Sequence, residues 1–98
     1  MTSTTTTDIV YFTVSKVMNV VGIGYIITGH TANGAVKPGA IIWLDNESFF
    51  VIDAVEQIEY AENSKVETAL ILEVIKYDEV KLLFAIHPGQ ILAIKTLL

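Results

Sequence analysis

The sequence predicts an all-β domain, a small closed or nearly closed antiparallel-rich β-barrel of six to seven strands. Three observations lead there. Apolar, mostly β-branched or aromatic residues alternate with a two-residue period in run after run. Glycine-bearing turns separate the runs, and no stretch offers the dozen-residue crossover helix that a parallel βαβ arrangement requires. At 98 residues and 52% hydrophobic, the chain has material for one core and not for two. Residues 1–7, short and Thr-rich, are expected to form a flexible N-terminal tail, leaving 8–98 as the single domain.

The elements follow in order. Over residues 9–21, Val10, Phe12 and Val14 alternate with Tyr11, Thr13 and Ser15, which marks a strand with the first set turned to the core. Gly22, Gly24 and Gly29 bracket the β-branched run 25–28 and suit a bend, a bulge or a close backbone approach. Asn33-Gly34 is the strongest local hairpin signal, and Lys37-Pro38-Gly39 marks a second turn before a short strand at 40–44. Residues 48–60 form a longer run whose alternation breaks around Asp53-Ala54, predicting a bulge or bend there. After a turn at 62–65, residues 66–75 alternate Val66, Thr68, Leu70 and Leu72 against Glu67, Ala69, Ile71 and Glu73. The segment 78–86 fits a strand or a helical turn equally. His87-Pro88-Gly89-Gln90 is a turn into a terminal strand at 91–96.

Charge narrows the function classes. Six lysines, no arginine and eleven acids give a formal net charge of -5, which argues against a DNA or broad nucleic-acid footprint built on clustered cations. The acids concentrate: residues 45–79 carry ten of them against Lys65 and Lys76. A field of that kind steers basic partners, and it also keeps an apolar domain dissolved. Cysteine is absent, so disulfides, thiolate metal sites and thiol nucleophiles drop out. The start, MTSTTTTD, lacks the pattern of a secretory signal, and no run approaches 18 apolar residues, so a cytoplasmic protein without a membrane partner is expected. Asn46-Glu47-Ser48 is then read as a polar turn rather than a glycosylation site.

The chemical motifs are near misses. Residues 24–31 have the glycine spacing of a phosphate loop, but His30 stands where the lysine belongs and the interior is strand-like. Residues 34–39 repeat the spacing without the lysine, and a dinucleotide fingerprint opening at Gly22 fails at Ile27. His30 and His87 belong to no spaced ligand set. Carboxylate pairs such as Asp53 with Glu56, and the serines Ser15, Ser48 and Ser64, lack the context of acid–base or nucleophilic catalysis. No catalytic residue, cofactor or metal site is assigned, and the protein is read as noncatalytic.

The stretch FTVSKVMNVVGIG at 12–24, followed by YIITG at 25–29 and GAVKPG at 34–39, resembles domain 2 of the translational GTPases, the family of elongation factor Tu. Ala54-Val55-Glu56, residues 69–72 and residues 89–93 match the same domain in the same order, so the resemblance spans about residues 9–95. It implies a six-to-seven-stranded barrel without the GTPase domain. Members commonly carry arginine at the positions of Ile23 and His30, on the side that meets RNA or neighbouring domains, and residues 73–88 run longer here.

Two functional expectations result. The first is a stand-alone module for self-association or protein binding, with Ile23, Tyr25, Trp43, Phe49, Phe50 and Phe84 as contact residues because large apolar groups exclude water. The alternative is an RNA-associated accessory linked to translation, using the loops at 22–24 and 29–34 with Tyr25 and His30.

Overall fold

A computed structural model describes residues 7–45, 48–73 and 77–97. Six strands form one antiparallel sheet: β1 (Thr7–Val20), β2 (Gly24–Thr31), β3 (Ile41–Trp43), β4 (Phe49–Tyr60), β5 (Lys65–Leu72) and β6 (Ile91–Leu97). They pair in the order β1-β2-β5-β4-β3-β6, and β6 returns to β1, so the sheet joins into a ring. The predicted alternation in β1 is the one observed, with Val10, Phe12 and Val14 inside. Ile27, Ile42, Phe50, Ile52, Leu70, Leu92 and Ile94 meet them from the other strands and fill the centre.

This corrects the fold prediction. The structure supports a compact six-stranded antiparallel sheet joined as a ring, and it does not support a six-to-seven-stranded barrel of the elongation factor Tu domain 2 type. The ring is uneven. β3 gives only three residues to each neighbour, Ile41, Ile42 and Trp43, and among the described residues β4 is joined to β6 through that narrow seam. β1 pairs with β6 only up to Thr13, and β4 pairs with β3 only up to Val51, so both long strands run past the closure. No seventh strand appears among the described residues, because the ambiguous segment is helical: a 3-10 turn at Tyr77–Glu79 leads into α1 (Val80–Phe84).

Two hairpins carry the topology. β1 turns into β2 through residues 21–23, where Gly22 has φ +87°, a conformation open to glycine at little cost. β4 turns into β5 through residues 61–64. Asn33-Gly34, by contrast, makes no hairpin, because β2 continues onto β5 and not onto β3. The Asn33 side chain instead imitates a strand residue against β1: its Oδ1 accepts from the Tyr11 N–H at 3.0 Å and its Nδ2 donates to the Ile9 carbonyl at 3.1 Å. The turn at Lys37-Pro38-Gly39 is present, with the Ala40 N–H donating back to Lys37 at 3.2 Å. Register shifts fall at Ser15 in β1 and at Asp53 in β4, the second where the broken alternation predicted it.

At the start of β5 the predicted faces exchange roles. Val66 is half exposed, whereas Glu67 is 5% exposed. Here the β4–β5 hairpin runs past the part of β5 that pairs with β2, and Glu67 on the opposite face meets polar groups of β1, β2 and β4. The predicted tail lies outside the described residues for 1–6, and the next residue, Thr7, already pairs with Leu97. The Asn46 turn and the end of the 66–75 run likewise lie outside them.

Candidate functional site

Every core position in β1, β6, β3 and β4 places its sequence neighbours on the outer face. The registers line those neighbours up across four strands. Tyr11 stands beside Ala93, Ala93 beside Trp43, and Trp43 beside Phe49. A second row runs Ile9, Lys95, Ile41, Val51. Tyr11 is 48% exposed and Phe49 45%, with the others between half-buried and exposed. The Trp43 and Phe49 rings lie 5.2 Å apart between centroids at a 43° tilt, and Lys95 Nζ sits 5.2 Å over the tryptophan ring. Beside them is a shallow open depression of about 480 Å³ lined by Trp43, Leu44, Asp45, Ala93 and Lys95. The result is an apolar surface with one cation in it.

Of the sequence-predicted contact residues, the structure brings Trp43 and Phe49 together here. Phe50 is corrected to a core residue: it pairs with fully buried Ile42 and is 2% exposed. Tyr25 and Phe84 meet elsewhere, edge to face at 6.0 Å, where α1 approaches β2. Ile23 is exposed at the tip of the β1–β2 hairpin, beside a second open depression shared with Asp53, Leu72 and Glu73. Tyr11, Ile9 and Lys95 were not predicted as contacts. Their alternation with Val10, Phe12 and Ile94 signalled an outward direction, but only the strand order shows that they share the outer face with Trp43.

His30 belongs to a separate polar cluster built on Glu67. The buried carboxylate accepts from the Ser15 hydroxyl and from the Tyr60 hydroxyl at 2.8 Å, and His30 Nε2 lies 3.3 Å away. Ser15 can reach it because the bulge in β1 turns this extra residue outward. The Ser15 hydrogen bond, ahead of those from Tyr60 and the charges of His30 and Lys65, holds the Glu67 carboxyl below its ordinary pKa against the opposing effect of burial. The same carboxylate raises the Tyr60 hydroxyl, first by their hydrogen bond. Serine, histidine and acid meet here, but serine and histidine both address the carboxylate and the serine donates to it. That order gives no general base to a nucleophile.

Because the folded state favours ionised Glu67, its contribution to stability is full above the unfolded carboxyl pKa and is lost as pH falls through the lower folded value. Glu67→Gln is expected to cost about 1.5–3 kcal/mol at pH 7, the range for hydrogen bonds to a charged group. The loss should shrink as acid protonates the wild-type carboxylate. Urea unfolding of both proteins at pH 7 and at pH 3 measures the two differences.

Among the described residues no three histidine or acidic side chains are grouped to hold a metal, and no helix is long and apolar enough to cross a membrane. The chain matches no protein-family model, no curated protein and no solved structure. The resemblance to the elongation factor Tu domain is therefore corrected on both counts: the uneven ring does not support it and no family match does. Of the residues named for an RNA surface, Tyr25 packs edge to face against Phe84 and His30 lies beside the Glu67 carboxylate.

Proposed function

We propose that this protein is a noncatalytic binding module that docks a protein surface, in the first instance a second copy of itself, on the outer face of β1, β6, β3 and β4. The observation that carries this reading is the pair of registered apolar rows spanning four strands, with Tyr11, Trp43 and Phe49 in one of them. Aromatic side chains grouped in this way are the usual anchors of protein interfaces. Ile91, 63% exposed on β6, extends the same face.

Sedimentation of the chain over a wide concentration range tests this. The wild-type mass is expected to rise with concentration, and Phe49→Asp should weaken the association about 30-fold, as removal of a 2 kcal/mol anchor does. Phe49 is not part of the core, so the variant should keep its fold. A wild-type chain that stays monomeric at millimolar concentration and captures no protein partner would overturn the proposal.

A further inference from the structure

Among the described residues, the ring leaves one side of β4 without a neighbouring strand over most of its length. On that side Ile52 exchanges the last backbone bonds among the described residues, donating to the Ala40 carbonyl at 2.9 Å and accepting from the Gly39 N–H at 2.7 Å. Among the described residues, the strand from Asp53 to Tyr60 is paired only to β5. Residues 53–60 therefore form an extended ladder edge, already straightened and held by its partner strand, whose other side meets no further strand among the described residues. An edge of this kind accepts another strand by main-chain hydrogen bonds, a recognition mode in which side chains supply the selectivity.

Charge decides which strand fits. Asp53, Glu56 and Glu59 are all exposed along this edge, and no lysine interrupts them. A second copy of the chain adding its own β4 edge antiparallel would bring these acids against their counterparts, and like charges across a ladder repel. The uncharged Thr-rich residues at 2–7 offer them no complement. A segment with lysine or arginine on both of its faces offers one at each acid.

We infer that the β4 edge, residues 53–60, is a docking site for an extended basic peptide segment that adds to the sheet as a further strand. The site is separate from the apolar rows, so self-association and peptide binding are independent properties. Hydrogen bonds from the ladder hold the segment, and the three acids select it and speed its arrival.

The test uses the full chain and an eight-residue peptide, Lys-Lys-Thr-Lys-Lys-Thr-Lys-Lys, which carries lysine on both faces when extended, blocked at both ends and labelled for anisotropy. A second peptide of the same sequence carries a methyl group on every backbone nitrogen, keeping the charge and abolishing the ladder. The unmodified peptide is expected to bind at least about tenfold more tightly than the methylated one and to slow amide exchange on alternate residues of 53–60. The Glu56→Lys/Glu59→Lys variant should weaken it at least about tenfold. Equal binding of the two peptides would reduce the edge to a charged surface and overturn the inference, as would protection confined to other strands or no binding at millimolar peptide. The two-peptide comparison stands on the wild-type protein alone, so it remains decisive whatever the variant does.

Discussion

Replacing Gly29 with alanine should destabilise the fold by more than about 3 kcal/mol, above the range that ordinary overpacking produces. Gly29 lies in β2 opposite Val14, next to the bulge that displaces Ser15. A Cβ built there overlaps the Thr13 carbonyl oxygen and comes within 2.8 Å of Phe12 Cε2. Phe12 is fully buried and the carbonyl belongs to a paired strand, so neither can swing away as an exposed side chain would. Relief requires β1 and β2 to separate at the point where the bulge brings them closest. With total stabilities of small domains at about 5–15 kcal/mol, much of the margin is at stake. Urea unfolding monitored by far-ultraviolet circular dichroism measures the loss, and a change below about 1 kcal/mol would show that the strands yield easily there.

Leu83→Ala should cost about 2–5 kcal/mol, the range for emptying a buried leucine site. α1 is only five residues long, far too short to persist by its own hydrogen bonds. It is held because Leu83, fully buried, enters the core cluster, while its neighbour Leu82 remains 41% exposed. Leu82→Ala is the matched control and should cost less, about 1 kcal/mol, since 41% of the residue's area already lies in water. Equal losses for the two variants would mean that the helix is anchored by something other than the buried side chain.

These two residues also show what could be read in the sequence. Gly22, Gly24 and Gly29 are marked alike there as places for a bend or a close approach. In three dimensions Gly22 takes a turn conformation with open space around it, and Gly29 alone touches another strand. That distinction depends on a neighbour sixteen residues away in the chain. The segment around Leu83 is ambiguous because five large apolar residues in seven satisfy both periods, and only the space left inside the ring selects the helix. Strand positions, the inward set of β1 and the irregularity at Asp53 are local properties of alternation, and they were legible. Strand order is not local. It decides which of Phe49 and Phe50 meets the core, places Tyr11 and Trp43 on one face with β6 between them, and turns Asn33-Gly34 from a hairpin into a crossing loop, so the candidate surface could be named only in part.

The narrow β3 seam has a kinetic meaning. Its partners in β6 lie about fifty residues along the chain, and β6 must also find β1 from the far end, so ring closure depends on the most distant encounters in the molecule. The β1–β2 and β4–β5 hairpins, each closed by a short turn, can assemble beforehand. Trp43 is the chain's single tryptophan and stands on that seam between Phe49 and Ala93, so its fluorescence is expected to report first the local pairing with β4 and then the late encounter with β6.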